Sequence, residues 1–203
     1  MAAGGIFEYQ AATRTYWLPR EHAACLTGSG VENLAPVALL TTMLGKHLPG
    51  VTAAFRDGGG VPYSDYLPEI HEVMDALWQP MYTRLLVPAI VPLAPGLADR
   101  LAAGARVADV ACGSGNALLV LAAEFPASTF VGYDIDGDAL ARGRAQAAER
   151  GLHNLSFEEC DAASLTVEHP FDAVSCSTPS TTRLPQRPCW SGSMAPWPPA
   201  ASS

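Results

Sequence analysis

Between residues 106 and 176 short apolar runs alternate with helical patterns, and the first run breaks into glycines: RVADVACGSGNALLVLAAEF. RVADVAC (106–112), TFVGYDI (129–135), NLSFEECD and FDAV read as four strands, each too short and too β-branched or aromatic for a helix. NALLVLAAEF and GDALARGRAQAAERG read as helices, the second closed by Gly151. Strands separated by whole helices cannot form hairpins, so the pattern predicts parallel pairing with crossover helices and an α/β fold. At 203 residues the chain has room for one good domain, or a small one plus a partial one.

Gly113 and Gly115 fall where the first strand gives way to a helix. Glycine there lets a ligand approach the backbone, and the helix start offers N–H donors. A glycine pair at a strand end is also an ordinary tight turn, so the acidic residues carry the argument. Asp109 sits in the first strand, Asp134 ends the second and Asp161 ends the third, all on the side of the sheet where α/β proteins bind ligands. At a strand end, a carboxylate such as Asp134 can accept both hydroxyls of a ribose. A dinucleotide fingerprint wants a further glycine where Leu118 stands, which argues against the alternative of an NAD(P)-binding oxidoreductase fragment.

On these residues the chain resembles the class I S-adenosylmethionine-dependent methyltransferases. VADVACGSGNALL is similar to their glycine motif, FVGYDID to their ribose-binding strand and EECDAASL to their third-strand motif. The resemblance implies a Rossmann-like domain with S-adenosyl-L-methionine as cofactor. It implies that Gly113 and Gly115 pass close to the methionine part with Asp109 nearby, that Asp134 holds the ribose, that Ile135 lies against adenine, and that Asp161 and Ala162 meet the adenine amino edge. The cofactor arrives activated, so the protein's task is to align acceptor and methyl and, where needed, remove a proton. No catalytic residue is assigned.

Ahead of this region, IFEY and TYWLP read as a two-stranded hairpin. Residues 21–57 carry helical apolar spacing through Val37, Leu40, Leu44 and Leu48, with Pro36 in a first turn and Pro49-Gly50 as a stop. GGGVPY (58–63) reads as a loop, and a second helical region runs from about Pro68 to Leu93, divided by Pro80 and Pro88. LAPGLADRLAAGA leads on as an amphipathic helix ending at Gly104. GGIFEYQAATRTYWLPREHAACLT and AFRDGGGVPYSDY resemble a bacterial methyltransferase subfamily with a winged-helix-like dimerisation domain before the catalytic one. That resemblance makes the hairpin a wing, places Tyr63 and Tyr66 on a loop leaning over the cofactor, and implies a homodimeric parent. The bland alternative for the two tyrosines is a surface connector. A noncatalytic regulatory or interaction protein is the other alternative, against which stands the lack of a recognition helix before the wing.

The expected domains are therefore a remnant wing hairpin (1–20), a helical connector (21–104), the first half of the cofactor-binding domain (105–176) and a tail (177–203). A net charge of −8 with twelve scattered Lys and Arg disfavours nucleic acid. Five cysteines in no CxxC pair suggest neither a disulfide framework nor a metal site, and reduced thiols fit a cytoplasmic location. The apolar run LLVPAIVPLAPGLA, broken by prolines, is too short for a membrane span. The expected partner is a small-molecule methyl acceptor.

The tail STPSTTRLPQRPCWSGSMAPWPPAASS does not continue the strand and helix rhythm. One reading is a Pro-rich disordered tail. The codons supply another: shifted back by one base, Cys189-Trp190 must read Leu, Met194-Ala195 Gly and Trp197-Pro198 Ala. With G/C-biased choices elsewhere the stretch can read FDAIHDQAAPAPVLVGIHGALAPGGVL, a strand end, a helix, a turn and another strand. The expectation is a frame change near Ser175 to Ser177 and a chain truncated at both ends, incomplete and weakly active or inactive.

Overall fold

The computed structural model describes residues 1–162, 164–166 and 170–176. The expected out-of-frame tail, 177–203, lies outside the described residues. The chain divides into one unit spanning Met1–Pro80 and a second that starts at Met81.

The first unit opens with β1 (Glu8–Gln10) and β2 (Thr15–Trp17), paired antiparallel with Tyr9 opposite Tyr16. This is the expected hairpin, its tyrosine rings 4.8 Å apart and its strand residues all exposed. Helices α1 (Arg20–Leu26), α2 (Ala35–Lys46) and α3 (Leu48–Asp57) follow. Asn33 Oδ1 accepts the Ala35 N–H at 2.9 Å, and Pro36 occupies the first turn of α2 as expected. Pro49 does not stop a helix; it stands in the first turn of α3, where no N–H is needed. A one-turn 3₁₀ segment, Tyr63–Tyr66, precedes α4 (Glu69–Met81).

The expected division falls at Pro80, one residue before α4 ends, while the backbone stays helical through Pro88. Pro80 lies in the last turn of α4, and the chain continues as a π-helical stretch, Tyr82–Ile90, that contains Pro88. At its end the Val91 N–H donates to Leu86 O, five residues back. The wider turn preserves backbone bonding around a residue that supplies no donor. A short 3₁₀ turn, Val91–Leu93, leads to α5 (Leu97–Ala103), which ends at Gly104 as expected.

The second unit is built on four parallel strands: β3 (Arg106–Val110), β4 (Thr129–Asp134), β5 (Leu155–Glu159) and β6 (Ala173–Ser175), in the order β5-β4-β3-β6. Helix α6 (Asn116–Glu124) links β3 to β4, and α7 (Gly137–Glu149) links β4 to β5. Each apolar run thus became a strand and each amphipathic run a crossover, with one shift: β5 ends at Glu159, leaving Asp161 beyond the strand rather than at its end. Leu118, Leu119, Phe130 and Leu140 are buried almost completely and form the centre of the core with Leu101, Val107 and Phe157. Successive strands step outward from β3 to β5, and the chain then returns to place β6 on the other side of β3. In open α/β sheets such a reversal is where a ligand crevice forms, outside the carboxyl ends of the strands. Among the described residues no single helix is long and apolar enough to cross a membrane.

Candidate cofactor site

After Val110 the backbone turns sharply: Ala111, Gly113 and Gly115 all have positive φ, at +60°, +57° and +72°. Gly115 caps α6, and its N–H donates to Cys112 O at 2.9 Å. The Cys112 N–H donates to Tyr133 O at 3.1 Å, which ties this loop to β4. The two expected glycines serve different ends. A Cβ on Gly113 would meet nothing within 4 Å, whereas one on Gly115 would overlap Cε1 and Cζ of Phe157. Gly113 keeps space open at the crevice; Gly115 makes room for a core ring.

Asp134, the last residue of β4, is tethered at both oxygens. Oδ2 accepts the Gly113 N–H at 2.7 Å and Oδ1 accepts the Asp136 N–H at 3.0 Å. A carboxylate has about four acceptor positions, so capacity for further hydroxyl donors remains after these two. Asp136 in turn caps α7, its Oδ1 accepting the Ala139 N–H at 2.9 Å. Ile135 between them is 57% exposed, a large apolar side chain presented to solvent. Cys160 N–H donates to Asp134 O at 2.9 Å and brings the end of β5 alongside, so that exposed Asp161 and half-buried Ala162 follow directly. Ser164 closes this turn by donating both its N–H and its hydroxyl to Asp161 O.

Asp109 differs from the other carboxylates. It has no exposed surface, so a place near the methionine part, as the sequence implies, would be one behind the loop. Its Oδ1 accepts a hydrogen bond from Ser175 Oγ at 3.0 Å, across the β3–β6 pair. Burial and then the nearby charges of Asp109 and Asp134 push the Cys112 thiol far above its ordinary range, so it stays neutral. Tyr63 belongs to the first unit, where its hydroxyl is 3.0 Å from His71 Nε2.

Sequence reasoning missed Asp136, Phe157 and Ser175. An Asp immediately before a helical run is a cap signal that would have found Asp136. Nothing local marks Phe157 or Ser175, because their partners are brought in by other strands.

Comparison with known proteins matches residues 107–190 to a family model described as a methyltransferase domain. Over this stretch the chain is similar to the class I S-adenosylmethionine-dependent methyltransferases. The match runs past Cys176 into the tail. Residues 1–28 match an Rv2258c-like winged helix-turn-helix domain, the type to which the expected wing belongs. Trans-aconitate 2-methyltransferase from Methylobacterium nodulans is 42% identical over 74 residues, covering 36% of this chain and 27% of the relative. The enzyme of the same name from Streptomyces coelicolor is 37% identical over 70 residues, covering 34% and 23%. The chain thus spans about a quarter of the length of these two curated relatives. Among solved structures, an O-methyltransferase family protein from Burkholderia thailandensis shares the fold, with a TM-score of 0.62 and 17% identity over 85% of this chain and 52% of that one. S-adenosylmethionine is the cofactor of this methyltransferase class.

Proposed function

We propose that this protein transfers the methyl group of S-adenosylmethionine to a small-molecule acceptor, with the cofactor bound at the carboxyl ends of β3, β4 and β5. The observation that carries the reading is the double tether on Asp134, which fixes a carboxylate with unused acceptor capacity between the open backbone at Gly113 and the exposed Ile135. The residues present fit the group. Asp134 receives the ribose hydroxyls, Ile135 covers the adenine face, and Asp161 with Ala162 borders the amino edge. Gly113 leaves room for the methionine part, and Gly115 supports that loop from behind. Tyr63 is assigned to the cofactor as well, on the strength of its sequence context alone.

Bound there, S-adenosylmethionine supplies an electrophilic methyl on a positively charged sulfur. The protein's share is to hold acceptor and methyl in line and exclude water. Two relatives are named for trans-aconitate, which makes a small carboxylic acid the first acceptor to offer. The exposed aromatic hairpin of Tyr9, Tyr16 and Trp17 supports assembly as a homodimer through the N-terminal unit. The thiols of Cys25, Cys112 and Cys160, none in a disulfide, suit a reducing cytoplasm.

Titration calorimetry with S-adenosylmethionine and with NADH tests the reading. The first should bind and the second should not. Asp134→Ala should weaken binding by about a hundredfold or more, since hydrogen bonds to a charged group contribute about 1.5–3 kcal/mol each. Unchanged affinity in that variant would overturn the ribose assignment, and a preference for NADH would restore the oxidoreductase reading.

A further inference from the structure

We infer that Ser175 is a positioning residue of the cofactor crevice, acting through Asp109 to keep a fixed negative charge beneath it that favours the cationic cofactor over its neutral-sulfur product. The inference rests on the cofactor reading above. Ser175 is the last residue of β6 and lies opposite Asp109 in the parallel register, at the point where strand order reverses and the crevice opens. Its hydroxyl donates to Asp109 Oδ1 at 3.0 Å and also lies 3.4 Å from Ala108 O.

A fully buried carboxylate must be held by hydrogen-bond donors to remain ionised. Ser175 is such a donor, supplied from the neighbouring strand to Oδ1. Burial first, and then the charge of Asp109, pushes up the thiol of Cys112, two residues on from β3. Asp109, buried behind the loop, and Asp134, at the end of β4, therefore bring two like charges to one part of the sheet. S-adenosylmethionine carries a sulfonium, and S-adenosylhomocysteine a neutral thioether. A fixed field acts on the difference between them, however alike the two are in shape. Asp109 thus contributes selectivity toward the charged ligand without touching it.

Calorimetry on the full chain measures the two dissociation constants and their ratio, product over cofactor. Asp109→Asn removes the charge at constant volume and should lower that ratio about tenfold, the size of an interaction with a unit charge across a partly screened site. Ser175→Ala should lower it about threefold, and Ser175→Thr should restore it by returning the hydroxyl. Loss of both affinities in equal proportion, or no change, in Ser175→Ala and Asp109→Asn would mean a merely structural pair and overturn the inference. Should Ser175→Ala fail to fold, the ratio in Asp109→Asn decides alone. If the unsubstituted chain binds neither ligand, the cofactor reading itself fails and takes this one with it.

Discussion

The glycine loop shows how two residues of one type, two positions apart, answer to different physics. Gly113 needs only its left-handed backbone, which costs an L-residue about 1–2 kcal/mol, and the space beside it is open. Gly115 needs that conformation and also the absence of a side chain, because the Phe157 ring from β5 lies against it. The same ring would sit 2.9 Å from a Cβ on Gly132 and 2.8 Å from one on Gly143, so strand, loop and helix each give up a side chain to receive it. Gly113→Ala should therefore fold with a modest loss of thermal stability and lose at least tenfold in cofactor affinity, as the ligand meets the added methyl. Gly115→Ala should fail at the fold, since overpacking adds about 1–3 kcal/mol to the backbone cost. Thermal unfolding beside calorimetry separates the two; equal behaviour of the variants would show that the loop does not divide the roles in this way.

At the scale of elements, the join between β4 and α7 carries the site. Asp134 ends the strand, Asp136 caps the helix, and one backbone N–H links them. The strand fixes where the Asp134 carboxylate stands, and the helix start fixes how it is turned. Asp136→Ala should destabilise the second unit by about 1 kcal/mol, the usual cost of a lost N-cap, with Asp136→Asn close to the unsubstituted chain. Denaturant midpoints measure this, and an unaffected Ala variant would mean that α7 starts without its cap. The helical stretch through Pro80 and Pro88 is the converse case. Pro88 fails to break its stretch, because the widened turn preserves the remaining bonds while Leu86 and Val91 stay packed in the core, whereas α4 ends one residue after Pro80.

The whole molecule sums its buried titratable groups into a pH dependence. Burial, then the charges of Asp109 and Asp134, hold the Cys112 thiol protonated, while burial and then Glu158 push Tyr133 upward. On unfolding these groups return to about 8.5 and about 10, so in alkaline solution the unfolded chain releases protons that the folded chain keeps. The stability they confer is complete below about pH 8.5 and declines as pH rises, by as much as about 1.4 kcal/mol per pH unit for Cys112 alone. Urea titrations between pH 8 and 10 should show that decline, and Cys112→Ala should flatten its first part; an identical slope in the variant would assign it elsewhere. The alternation of β3, α6, β4, α7, β5 and β6, the hairpin, and the two strand-end segments around Gly113 and Asp134 were legible in the residues alone, since apolar periodicity and turn chemistry are local properties that short stretches carry whole. The folded chain was needed to show that Asp109 is fully buried, that Ser175 meets it, and that Phe157 is what Gly115 makes room for. Each of those facts joins residues from different strands, and their meeting depends on sheet order and register, which local pattern does not encode.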